Sequence, residues 1–114
     1  MTLQEIARLV DGEIVCGAER AQEVIEYGFA SDLMSDVLTQ KRSNFLLITG
    51  LANIQTIRTA EISDAQYILF VRRKKATPDM LKLAADNDMT LIQSPFSMFK
   101  AAGILYSAGL KPVY

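Results

Sequence analysis

The chain contains no histidine, a single cysteine and no excess of either charge. Each absence removes a class of function. Histidine is the side chain whose ordinary pKa suits acid–base work near neutral pH. Without it, Ser-His and Cys-His nucleophile pairs and His-containing zinc sites are impossible. The lone Cys16 excludes an intrachain disulfide, and with it the secreted disulfide scaffold. One thiol is also too few for a structural zinc. Lys and Arg number 12 against 13 Asp and Glu, a net charge of -1, so the basic excess of a nucleic-acid binder is missing. No apolar run approaches the roughly 20 residues of a membrane span, and Met1-Thr2-Leu3-Gln4-Glu5 lacks the charged-then-apolar layout of a signal peptide. These absences predict a cytoplasmic protein that binds neither nucleic acid nor membrane, and they lower the expectation of an enzyme while leaving catalysis through carboxylates, Lys or Mg²⁺ open.

What is present is ordinary globular material. Half of the 114 residues are apolar and 22% are charged, which supports a packed core rather than disorder and fits one domain over residues 1–114. Leu3, Ile6, Ala7, Leu9 and Val10 form a helical stripe behind Thr2, a cap whose partner is Glu5 three residues on. Asp11-Gly12 ends that helix, and Glu13 to Cys16 reads as a short strand. A turn at Gly17 and a polar stretch lead to a second strand over Val24 to Ala30.

A regular rhythm follows. Ser31-Asp32 is placed to cap a helix from Leu33 to about Gln40, and Phe45 to Thr49 is a wholly apolar strand ended by Gly50. Asn53 caps a helix through Ile54, Ile57, Arg58 and Ala60, and Tyr67 to Val71 is another apolar strand. Pro78 opens a helix whose apolar face is Met80, Leu81, Leu83 and Ala84. Thr90 to Ile92 is a short strand, Ser94-Pro95 a turn, and Phe96 to Ser107 the last helix. Strands without alternation, separated by helices of about ten residues, are the pattern of a parallel sheet covered on both faces. The prediction is an α/β fold: a three-layer α/β/α domain with a mostly parallel sheet, preceded by a small N-terminal helix–strand unit.

Open parallel sheets bind ligands beyond the carboxyl ends of their strands. The segments expected there are Ala30-Ser31-Asp32, Thr49-Gly50, Arg72 to Lys75 and Gln93-Ser94-Pro95. The candidate ligand-binding residues are therefore Ser31, Asp32, Thr49, Gly50, Arg72, Arg73 and Ser94. Ser31 and Asp32 are equally well explained as helix caps. Asp32 and Asp36, four apart, would share a helix face, yet two carboxylates alone make a poor Mg²⁺ site. Thr49-Gly50 is no P-loop, because the Gly-x-x-x-x-Gly-Lys-Ser/Thr spacing is absent. Arg72-Arg73-Lys74-Lys75 is the strongest charge feature. Four adjacent cations are either a solvated loop or the clamp for an anion such as an adenine nucleotide. No metal site is expected.

From Phe96 to Leu110 the only polar side chains are Ser97, Lys100 and Ser107. A helix apolar most of the way round is either sandwiched inside the domain or buried against another chain. The second option predicts a homodimer through this C-terminal helix.

The ordered set Ala30-Ser31-Asp32-Leu33-Met34-Ser35-Asp36-Val37-Leu38, Leu47-Ile48-Thr49-Gly50-Leu51, Arg58-Thr59-Ala60-Glu61 and Ser94-Pro95-Phe96-Ser97-Met98-Phe99 resembles the DRTGG domain family, in particular its short stand-alone bacterial members. Similar domains accompany paired CBS domains in certain pyrophosphatases and are related to the N-terminal domain of HPr kinase/phosphorylase. The resemblance implies an α/β fold and a non-catalytic regulatory or dimerising role. It also implies work beside a larger enzyme partner in hydrogenase, redox or sensor-kinase systems. The name-giving motif is altered: Gly50-Leu51 stands where an Asp-Arg pair is expected, and Arg72-Arg73-Lys74 where a Thr-Gly-Gly turn is expected. Long cationic side chains thus replace glycines that let backbone approach a ligand.

Overall fold

Strands that are apolar on both sides must lie between two layers, and the chain places them so. The computed structural model describes residues 1–114. In chain order the elements are α1 (Leu3–Leu9), β1 (Glu13–Cys16), β2 (Tyr27–Ala30), α2 (Met34–Leu38), β3 (Leu46–Thr49), α3 (Ile54–Ile62), β4 (Tyr67–Phe70), α4 (Pro78–Asp86), β5 (Thr90–Gln93), α5 (Met98–Ser107) and β6 (Lys111–Pro112), with a 3₁₀ turn at Ala18–Arg20 between the first two strands. One six-stranded sheet runs in the order β1-β5-β4-β3-β2-β6. Its strands are parallel except β1, which pairs antiparallel with β5.

The topology explains the layers. From β2 to β5 each strand lies beside its predecessor, and right-handed crossovers in one direction put their helices on one face. Val37 of α2, Ile57 and Ala60 of α3, and Met80 and Ala84 of α4 pack there against Leu47, Ile68, Phe70 and Leu91. The connection from β5 to β6 runs back across the sheet, so α5 lies on the other face. Ala101 and Leu105 join Leu3, Ile6 and Ala7 of α1 there, over Leu46, Ile48, Leu69 and Ile92. Alternate residues of each central strand feed the two cores, as the pleat requires. The expected three-layer α/β/α domain is the observed one.

Local signals set most helix starts. Thr2 accepts from the Glu5 N–H at 3.1 Å while its own N–H donates to Glu5 Oε1 at 3.2 Å, a complete capping box. Asn53 caps α3 by accepting from the Thr56 N–H at 3.0 Å. Thr77 caps α4 ahead of Pro78, and Ser97 caps α5.

Two expectations are corrected. The last helix begins at Met98, because the backbone of Phe96 is taken up in a turn on Ser94. β2 begins at Tyr27 rather than Val24, which is exposed and makes only an isolated bridge to Thr2. The N-terminal helix–strand unit leads the chain as expected and is built into the domain, α1 joining one helical layer and β1 forming an edge of the sheet. The last strand, β6, is too short to leave a periodic signal. Its cause is the end of α5, where Gly109 takes φ +111°, its N–H bonds to the Tyr106 carbonyl, and the Leu110 N–H bonds to the Leu105 carbonyl at 3.0 Å. That is the glycine-terminated helix end whose following apolar residue, here buried Leu110, packs back on the domain.

No helix is long and apolar enough to cross a membrane.

Candidate functional site

Parallel register brings residues distant in sequence to one line. Ala30 pairs with Ile48, and Thr49 with Phe70. The residues just beyond these strand ends, Asp32, Gly50 and Arg72, therefore meet at the carboxyl edge of the sheet. The Asp32 carboxylate is the centre of that meeting. Its Oδ1 accepts from Thr49 Oγ1 at 2.9 Å and from the Gly50 N–H at 2.7 Å, and its Oδ2 accepts from Arg72 Nη1 at 2.8 Å. One side chain thus ties together the ends of β2, β3 and β4. Burial alone would raise the Asp32 pKa, but the bonds from Arg72, Gly50 and Thr49 outweigh it and hold the carboxyl below its ordinary value.

Gly50 lets the Arg72 side chain approach its backbone closely. A Cβ there would overlap the Arg72 guanidinium. Arg72 itself has φ +60° and Arg73 φ +61°, a left-handed conformation that costs an L-residue roughly 1–2 kcal/mol. Two such residues in succession persist because their backbones are held from outside. The Arg72 N–H donates to the Phe96 carbonyl at 2.7 Å, and the Arg73 N–H to the Ser94 carbonyl at 3.1 Å. Strain of this kind concentrates at ligand clamps and switches.

Beside this knot, Arg73, Lys74 and Lys75 share a cleft of about 370 Å³ with Asp11, Glu13, Gln93, Ser94 and Pro95. These three cations are exposed and make no ion pair, whereas Arg72 is paired with Asp32 and Arg20 with Glu19, Glu23 and Asp88. The Gln93 side chain accepts from the Ala76 N–H at 2.8 Å and so fastens the far end of the cationic loop to β5.

The sequence candidates divide. Asp32, Thr49, Gly50 and Arg72 are brought into mutual contact, and Arg73 faces the adjoining cleft. Ser31 is at the same edge, but its hydroxyl closes a turn, accepting from the Leu33 N–H at 3.0 Å. Ser94 is buried, its hydroxyl donating to the Val10 carbonyl at 2.6 Å and accepting from the Phe96 N–H at 3.1 Å. Both of its bonding functions are used inside the fold. Neither Ser31 nor Asp32 caps α2, which starts at Met34 without a side-chain cap. Asp32 consequently lies outside the helix, and the shared face with Asp36 does not exist. Asp11 and Glu13, as walls of the cleft, were not visible in the sequence, where they mark only a helix end and a strand start.

A larger hollow of about 670 Å³ lies elsewhere, between Thr39, Gln40, Lys41, Arg42, Val113 and Tyr114. The Thr39 and Gln40 side chains bond to the neighbouring Asp36 carbonyl and to each other, and Arg42 stacks over the Tyr27 ring. No fixed donors converge there, so the strand edge is the better built site.

No model of a known protein family matches the chain, and no curated protein matches it in sequence. Its fold is similar to that of the CBS and DRTGG domains of the regulatory region of a pyrophosphatase from Clostridium perfringens, solved in complex with the activator diadenosine tetraphosphate. The TM-score is 0.73 at 16% sequence identity, covering 98% of this chain and 48% of that one. At this identity the likeness is one of fold. The chain spans about half the length of that structure.

Proposed function

We propose that this chain is a single DRTGG-like regulatory domain, without catalytic activity, that recognises a nucleotide or similar phosphate-bearing anion at the carboxyl edge of its sheet. The carrying observation is the Arg72–Lys75 loop. It presents three unpaired cations and a fourth over the Gly50 backbone, in a conformation held at two consecutive strained residues. Arginine grips phosphate through paired N–H groups, and unpaired cations favour an anion. The structural neighbour supports the same reading, being a regulatory region bound to an adenine dinucleotide activator. The test is thermal unfolding with AMP, ADP, ATP and diadenosine tetraphosphate. A ligand present at 100 times its dissociation constant stabilises the fold by about 2.7 kcal/mol. Absence of any shift across the panel would refute nucleotide recognition.

A second reading, an assembly subunit that docks on itself or on a larger enzyme without a small ligand, is favoured by α5. Ala101 and Leu105 are buried against the sheet, but Phe99 is 86% and Tyr106 69% exposed, with Gly103 open between them on the same outward stripe. Large apolar side chains so displayed mark an interaction surface, and a second copy of this helix is the occupant proposed. Light scattering tests it. A dimer abolished by Phe99→Lys is expected, and a monomer at high concentration would remove this half of the proposal.

A further inference from the structure

We infer that Thr49, Gly50 and Arg72 form an oxyanion subsite whose present occupant is the carboxylate of Asp32, so that Asp32 competes with the ligand instead of binding it. The inference rests on the reading of this edge as an anion site and assigns the roles within it.

The geometry is that of a bound acid group. A hydroxyl, a backbone N–H and a guanidinium, from the ends of two different strands, converge on the two oxygens of one carboxylate at 2.7–2.9 Å. All three donors suit a phosphoryl or carboxylate oxygen equally well. Two of them are fixed before any ligand arrives. Gly50 continues from β3, and the Thr49 hydroxyl is oriented by accepting from the Leu51 N–H at 3.2 Å. Asp32, by contrast, stands on the exposed segment between β2 and α2, outside both elements. It can swing out with the turn at Ser31, leaving the donors in place.

Asp32 has no other protein partner than these three, and the Arg72 guanidinium has none but Asp32. An arriving oxyanion therefore replaces one set of charge-assisted bonds by another of the same kind. Its apparent affinity is reduced by the fraction of time the cradle is free. If Asp32 fills the cradle about nine-tenths of the time, its removal strengthens binding roughly tenfold.

The experiment is calorimetric titration of inorganic phosphate, and separately of acetate, into the wild-type chain, Asp32→Asn, Asp32→Ala, Asp36→Asn and the double variant Asp32→Ala/Arg72→Ala. Asp36 is exposed on α2, and its carboxylate makes no hydrogen bond or ion pair, so Asp36→Asn removes the same charge away from the cradle. Both Asp32 variants are expected to bind at least one of the two anions about tenfold more tightly than wild type, and the double variant to lose that gain. The anion that gains more identifies the group the subsite takes. Unchanged or weaker binding in both Asp32 variants would overturn the inference, as would an equal gain in Asp36→Asn. A wild-type chain that ignores every nucleotide while Asp32→Ala gains phosphate binding would refute nucleotide recognition and keep the subsite. Nucleotide binding that weakens on loss of Asp32 would do the opposite.

Discussion

Replacing Arg73 by glycine should make the protein more stable. Arg73 sits at φ +61°, and its side chain makes neither a hydrogen bond nor an ion pair, its only fixed contact being the N–H bond to the Ser94 carbonyl. The left-handed conformation costs an L-residue roughly 1–2 kcal/mol. Glycine adopts it freely, but a more flexible unfolded chain costs about 0.5–1 kcal/mol in return. The net gain is therefore about 0.5–1 kcal/mol. For 114 residues the unfolding entropy near the midpoint is roughly 0.24 kcal/mol/K, so the melting temperature should rise by about 2–4 °C. Calorimetric melting of wild type, Arg73→Gly and Arg73→Ala separates the causes. Arg73→Ala removes the same side chain but keeps the strained backbone, so it should leave Tm within about a degree. If the glycine variant melts at or below the wild-type temperature, or the alanine variant gains as much, the strain argument is wrong. In the proposed binding role the stabilised glycine variant should also hold anions less tightly, the exchange of stability for activity expected where strain serves a site.

Other outcomes follow from the same geometry. Ser94→Ala strands the buried Val10 carbonyl and the half-buried Phe96 N–H, and should cost about 1–3 kcal/mol in urea unfolding. Gly50→Ala should displace the Arg72 side chain, whose flexible end can move aside. The cost should stay below about 1 kcal/mol, the worth of an exposed pair, and adding Arg72→Ala should then change nothing further. The lowered pKa of Asp32 means that its ionised form is favoured by folding. Its contribution is present above the ordinary aspartate pKa and is lost as pH falls through the depressed one. The stability gap between wild type and Asp32→Asn should accordingly be full at pH 6 and shrink below about pH 4, measured by urea midpoints across that range.

The central strands were legible because Phe45–Ile48 and Tyr67–Val71 are apolar at every position, which only a doubly covered strand requires. Helix starts were legible wherever one local group decides, as at Thr2, Asn53 and Pro78. The Asp32 position shows the limit of that logic. A Ser-Asp pair before a short helix satisfies the local rule for a cap, yet the carboxylate finds two donors 17 and 18 residues away and a cation 40 residues away. That competition is decided by strand register, which no local pattern carries. The apolar α5 was equally plain in composition, but which of its sides faces outward depends on how the chain crosses back over the sheet.

The two outermost strands also decide what the sheet refuses to pair with. β2 and β5 are interior-type parallel strands whose outer backbone groups would otherwise template the addition of foreign strands. β1 covers β5, and β6 covers β2 through the bonds from the Lys111 N–H to Glu26 and the Val113 N–H to Gly28. Only two residues of β6 pair, one of them Pro112, which has no N–H to offer a further strand, and the other a lysine. So short a strand with a proline works as a stopper. Removing residues 111–114 would uncover the outer edge of β2 and leave its backbone groups open to a further strand.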